Sequence, residues 1–175
     1  MAVIEGGNKL EKSLTEISRK LGRGGSVKVG FLSGANYPDG TPVALIASLQ
    51  DFGAPAAGIP PRPFFRNMIA AKSGEWAEAV RLNLVDTNYD VDKTLARVGE
   101  GIAGQLRQSI VDTNEPPLKP ATVRRKGFSK PLVDTAHMLQ SVDFETSSGA
   151  RSMAKAKATV AAWSREVVEE ARRRR

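Results

Sequence analysis

Between Thr113 and Phe144 the chain carries prolines at positions 116, 117, 120 and 131. Proline fixes φ, lacks a backbone N–H and restricts the residue before it, so no long helix or central strand runs through such a stretch. The same segment holds five basic side chains, Lys119, Arg124, Arg125, Lys126 and Lys130, with no carboxylate between the first and the last. It closes on Asp134-Thr135, a favourable helix start, and a short apolar run. This pattern predicts a shaped surface loop rather than a catalytic pocket. A second cluster, Pro55, Pro60, Pro61 and Pro63, predicts another stiff loop over 54–63 that is neither helix nor central strand.

Hydrophobic spacing places the regular elements around these loops. Leu10, Leu14, Ile17 and Leu21 share one face of an amphipathic helix, which Gly22, Gly24 and Gly25 end. Val27, Val29 and Phe31 alternate with Ser26, Lys28 and Gly30, as in a half-buried strand. Residues 36–42 are dense in turn formers, and Val43 to Phe52 reads as a short apolar helix closed by Gly53. Pro63 suits the first turn of a helix that buries Phe64, Phe65, Met68 and Ile69, with a break expected at Ser73-Gly74 before Trp76, Val80 and Leu84 resume the period.

Asp90 is placed to cap the clearest helix, in which Val91, Leu95, Val98, Ile102, Leu106 and Ile110 step by three or four. Gly99, Gly101 and Gly104 lie within it, and each costs about 1 kcal/mol relative to alanine. Close packing against a sheet or a neighbouring subunit would explain them, and so would plain tolerance. Asp134 then caps a short helix through Leu139, and Ser141 to Thr146 forms a strand with Val142 and Phe144 on one face. Ser147-Ser148-Gly149 has the composition of a hinge. Beyond it, Ala156, Val160, Trp163 and Val167 define a second amphipathic helix that runs into four arginines. The expected fold is α+β, a small mixed or antiparallel sheet flanked by helices, with protruding proline-rich loops at 54–63 and 114–120 and a C-terminal helical arm. The expected division is a body over 1–147 and a basic extension over 148–175.

The charge sits unevenly on that division. Residues 151–175 hold eight basic and three acidic side chains, so +5 of the net +7 belongs to the extension. A basic tail seeks nucleic acid or an acidic protein surface, while the plain alternative is a solvated helix end that complements the helix dipole. With no cysteine in 175 residues, there are no disulfides and no thiolate metal sites, as suits a reducing cytosol. No apolar run approaches the roughly 18 residues of a membrane span, and no secretory signal pattern opens the chain.

Residues that carry chemistry are sparse. His137 is the single histidine, so no metal-binding pair and no histidine relay can form, and a packing or capping role suits it better. Gly22 to Gly25 resembles a phosphate loop, yet it follows a helix and lacks the Gly-Lys-Ser/Thr ending, so it reads as a helix terminator. Asp39, Asp51, Asp86, Asp90 and Asp92 match no metal-loop spacing. Catalytic, cofactor-binding and metal-binding residues are therefore expected to be none, and the protein is not expected to be an enzyme.

Three ordered segments resemble the tail-component family of lambdoid and siphophage virions, the neck or tail-completion type. They are Val27 to Ala44, with Tyr37-Pro-Asp-Gly-Thr-Pro42; Gln50-Asp-Phe-Gly-Ala-Pro55 followed by Ile59-Pro-Pro-Arg-Pro-Phe-Phe-Arg66; and Pro116 to Gly127 leading into Lys130-Pro-Leu-Val-Asp-Thr135 and Met138-Leu-Gln-Ser-Val142. Their order holds across 27–145. The resembling proteins carry a glycine after the Asp-Thr pair, where this chain has Ala136, a departure that matters only if the site needs positive φ. Beyond about residue 147 the resemblance ends.

The resemblance implies a non-enzymatic structural protein of the virion neck or tail, made in the bacterial host cytoplasm. It implies a homo-oligomeric ring that joins or finishes the tail beside other neck, connector or tail-terminator proteins, with no membrane partner and no cofactor. Arg62, Arg66, Arg124, Arg125 and Lys126, with Trp163 of the extension, are the expected interface residues. The arginines would pair across subunit seams with acids such as Asp51, or face DNA in the channel. The alternative is a nucleic-acid-binding phage or prophage protein that uses its basic tail, although no helix-turn-helix or stacking array accompanies that charge.

Overall fold

The computed structural model describes residues 7–22, 24–127, 129–133 and 136–148. Asp134, the expected cap, and everything after Ser148, including Trp163 and the C-terminal arm, lie outside the described residues. The fold is α+β, with six helices and a two-stranded antiparallel sheet among the described residues. The elements run α1 (Gly7–Leu21), β1 (Gly25–Phe31), α2 (Val43–Phe52), α3 (Phe64–Asp86), α4 (Val91–Asp112), α5 (Pro120–Lys126), α6 (His137–Gln140) and β2 (Val142–Ser148). Ser26 opposite Ser147, with hydroxyls 3.0 Å apart, and Lys28 opposite Glu145, 3.5 Å apart, set the strand register. Along β2 Val142 is buried, Phe144 half-buried, and Asp143 and Glu145 exposed, the alternation that a period of two demands.

The chain divides into two compact units whose boundaries fall inside β1, α3, α4 and β2. The larger, Lys28–Ala77 with Gly99–Glu145, holds most of the apolar core: Val43, Ala47, Phe64, Met68, Ile102, Ala103, Leu106, Ile110, Leu132, Met138 and Val142. Burial of each large aliphatic or aromatic side chain is worth about 1.5–3 kcal/mol. Phe64 sits at its centre, edge-on to Phe31 and to Phe65 at 6.4 Å in each case. The Ser109 hydroxyl donates to the Phe64 carbonyl at 2.7 Å, and the Trp76 indole N–H to Gln105 at 2.9 Å, so α3 and α4 are fixed by side chains as well as by packing.

The smaller unit combines the residues up to Val27 with Glu78–Val98 and those from Thr146. Gly25 opens β1 against α4, where a Cβ would come within 2.4 Å of Leu95 Cδ1, so a side chain there would have to displace Leu95. The Lys20 ammonium donates to the Asn88 carbonyl at 3.0 Å, and the Thr87 and Thr94 hydroxyls meet at 2.7 Å. Asp90 caps α4 by accepting the Lys93 N–H at 3.1 Å, which also holds its carboxyl below the usual range. A depressed native pKa means that this contribution is complete above the unfolded value and fades as pH falls through the native one.

Several expectations need correction. Ser73-Gly74 does not break α3, which runs unbroken from Phe64 to Asp86; a Cβ at Gly74 would meet open space, and one glycine costs only about 1 kcal/mol within a packed helix. Pro63 precedes α3 as the residue whose carbonyl accepts the Asn67 N–H, rather than standing inside the first turn. The 54–63 loop contains one 3-10 turn, Pro55–Ala57, closed by an Ala54–Ile59 bridge. Within the segment expected to be a loop, Pro120 starts α5 and Gly127, at φ 80°, stops it. Ser147 and Ser148 continue β2 and are not a hinge.

Gly101 and Gly104 are exposed with no atom within 4 Å of an added Cβ, so packing on the sheet does not explain them. Gly101→Ala and Gly104→Ala should therefore each raise stability by about 1 kcal/mol, near 2–4 °C in Tm for a chain of this size. Thermal denaturation that shows no gain would mean that unfolded-state effects cancel the propensity. Ala136 has φ 59°, the left-handed conformation that disfavours a side chain. Ala136→Gly should stabilise by about 0.5–1 kcal/mol, and a lower urea midpoint would contradict the strain.

Candidate functional site

The proline-rich segments meet in the larger unit, and buried polar side chains hold them. Residues Val43, Ala47 and Asp51 form the buried face of α2, so its last turn places a carboxylate in the interior. Gly53 then turns the chain at φ 77°, and a Cβ there would lie 2.8 Å from the Pro61 nitrogen. The tight turn returns Pro63 and α3 to the end of α2. Pro63 has no side-chain acceptor to offer the first N–H groups of α3, and Asp51 supplies it from the preceding helix. Its Oδ1 accepts the Phe65 N–H at 2.9 Å, and its Oδ2 accepts the Arg66 guanidinium at 2.7 Å. Arg66 also donates to the Asp51 carbonyl at 2.7 Å and lies 4.5 Å over the exposed Phe52 ring.

Arg62 is 4% exposed. Its backbone N–H donates to the Gln50 carbonyl at 2.7 Å, its Nη1 to the Gln50 side-chain oxygen at 3.1 Å, and its Nε to the Pro116 carbonyl at 3.0 Å. Desolvation lowers its pKa, and two acceptors engage the Nε and Nη1 of its guanidinium. This side chain fastens the 54–63 loop to the residue that follows the cis Glu115–Pro116 bond. Lys119 reaches the same place, with its ammonium 4.0 Å from where a Gly58 Cβ would stand.

The basic residues of the second segment divide by role. Lys126 donates to the carbonyls of Lys130 at 3.0 Å and Val133 at 2.7 Å, and Lys130 donates to the Val111 carbonyl at 3.0 Å. These ammonium groups close the segment after α5 on itself and onto the end of α4. Arg124 and Arg125, in the last turn of α5, are exposed. His137 stacks on Tyr37 at 4.8 Å, with its Nε2 2.8 Å from the Asn36 carbonyl, which joins α6 to the 36–42 turn.

Of the expected interface residues, the structure thus places Arg124 and Arg125 on the surface. Arg66 is half-exposed and paired with Asp51 of its own chain. Arg62 and Lys126 make their hydrogen bonds inside the unit, and Trp163 lies outside the described residues. Sequence reasoning did not foresee Asp51 as a cap or Gln50 and Pro116 as acceptors for Arg62. The available signal was a proline immediately before a helix, which removes a side-chain cap and implies a donor-satisfying group from elsewhere. Among the described residues no group of three or more His, Cys, Asp or Glu side chains gathers, and no helix is long and apolar enough to cross a membrane.

No protein-family model, curated protein or solved structure matches the chain.

Asp51→Ala should destabilise the protein by roughly 2–3 kcal/mol, since it strips the helix cap and leaves Arg66 unpaired. Asp51→Asn should lose less, because an amide oxygen still accepts the Phe65 N–H. Equal losses in urea denaturation would show that charge, rather than the cap, is what matters.

Proposed function

We propose that this protein is a non-enzymatic structural component of a tailed-phage virion, a ring subunit at the head–tail junction needed to join or finish the tail. The observation that carries the reading is that the three segments resembling the neck and tail-completion family pack together in one unit. Arg62 of the second bonds Pro116 of the third, and His137, beside the third, stacks on Tyr37 of the first. These contacts tie the segments within the larger unit, Lys28–Ala77 with Gly99–Glu145, as expected if the ordered set reflects a shared fold rather than chance composition.

The surface chemistry supports the same role. Loops tied by internal hydrogen bonds have little conformational freedom left to lose when neighbours dock on them. Arg124 and Arg125 stand exposed beside them, and among the described residues neither is engaged in an ion pair. Arginine in that setting suits a seam with a neighbouring ring or the phosphates of DNA passing through a channel. Closed rings follow when head-to-tail contacts repeat with a rotation that returns on itself.

The test is Arg124→Glu with Arg125→Glu in a phage that carries this gene. Exposed charges contribute little to stability, so the circular dichroism and Tm of the purified chain should not change. Infectious titre should fall about tenfold or more, the consequence of losing roughly 1.4 kcal/mol of contact. Electron microscopy should then show filled heads and separate tails. Unchanged titre would remove the interface assignment, and mature particles built without this chain would remove the functional reading itself.

A further inference from the structure

The smaller unit exposes apolar surface that its own described residues do not cover. Leu10 is 62% exposed, Leu14 57% and Leu21 39%, and with Ile17 they make one continuous stripe along α1. A shallow groove follows that stripe, lined by Leu10, Glu11, Leu14, Thr15, Ser18 and Arg19. A helix with such a face does not hold itself together in water, because helices of this length depend on packing of the apolar side.

We propose that residues 150–175 of the same chain cover this stripe as a second helix, antiparallel to α1. The point of exit argues for it. β1 begins at Gly25, just past the end of α1 at Leu21, and Ser147 of β2 lies against Ser26. The chain therefore leaves the sheet beside the C-terminal end of α1, with 27 residues still to come after Ser148. As a helix at 1.5 Å per residue, the part from Ala156 to Val167 spans about 16 Å, the same as Leu10 to Leu21.

The spacing argues for it as well. The α1 stripe, read backwards, is Leu21, Ile17, Leu14 and Leu10; the C-terminal stripe, read forwards, is Ala156, Val160, Trp163 and Val167. Both step by four, three and four, so an antiparallel pair brings Ala156 to Leu21, Val160 to Ile17, Trp163 to Leu14 and Val167 to Leu10. A short tether raises the effective concentration of the segment at its own α1 to the millimolar range, which favours this site over an identical one on another copy. This assignment places Trp163 inside its own chain, where sequence alone suggests an interface residue, and it is independent of the head–tail reading.

The chain has no cysteine, so paired substitutions give an unambiguous test. Leu10→Cys with Val167→Cys, at the end of the stripe farthest from the tether, should be joined within one chain by a bis-maleimide of about 10 Å reach, matched to helix spacing. The product is a faster-migrating monomer on a denaturing gel at micromolar protein. Leu10→Cys with Arg165→Cys, on the opposite face of the C-terminal helix, should give markedly less. Covalent dimers in place of the shifted monomer would assign the stripe to a second copy and overturn the proposal. Equal linkage of both pairs, or of neither, would overturn it too. In the unlinked full chain, Leu10→Asp with Leu14→Asp should speed trypsin cleavage at Arg165, and an unchanged cleavage rate counts against docking.

Discussion

Asp51 is the constraint on which the larger unit depends. It is a carboxylate that is 3% exposed, and a buried charge is tolerated only when paired and hydrogen-bonded. Three of its partners come from α3: the N–H groups of Phe65 and Arg66, and the Arg66 guanidinium. Because Asp51 ends α2 and its acceptors serve the start of α3, the loop between them must return to within one turn of where it left. That closure is made through the positive φ of Gly53 and the Ala54–Ile59 bridge, with Pro60, Pro61 and Pro63 on the return. It also places Phe64 in the centre of the core.

The same unit uses its positive charges mostly as directed donors. Arg62 and Lys126 reach main-chain carbonyls of irregular, proline-rich backbone, at Pro116 and at Lys130 and Val133, and Lys130 reaches the Val111 carbonyl in the last turn of α4. A buried unpaired carbonyl costs about 1–3 kcal/mol, so at the part-buried Pro116 and Val133 carbonyls a long basic side chain holds a loop that has no ladder of its own. Arg124 and Arg125 differ in having no such duty. This division separates charge that stabilises the chain from charge that remains for a partner, and the proposed role in a virion ring draws on the second kind.

The smaller unit is organised differently. Its described interior is small, with Thr94 and Val98 buried, while Leu10, Leu14, Leu21, Leu82 and Val85 are exposed. Apolar surface of that extent marks a place for packing against something further. The sequence of the C-terminal segment carries an apolar stripe of the same spacing, which is why it is the proposed partner.

Periodicity by itself determined the elements whose burial is one-sided. The α4 stripe through Val98, Ile102, Leu106 and Ile110 is buried as its spacing requires, α2 spans Val43–Phe52 with Gly53 at its end, and β2 alternates, whereas β1 is half-buried on both faces, with Gly30 its one buried residue. Asp90 was legible as a cap because capping is local, a side chain and an N–H three residues apart. What only the tertiary structure decided are the interactions made at a distance in sequence. Asp51 caps a helix 14 residues on, Arg62 reaches Pro116, and packing carries α3 through Gly74 despite its weak propensity. The left-handed Ala136 belongs with them, since an alanine is silent about φ where a glycine would have announced it. Local rules see neighbours along the chain, whereas the partner of a buried polar group is chosen by whatever the fold brings within 3 Å, and no spacing in the sequence encodes that.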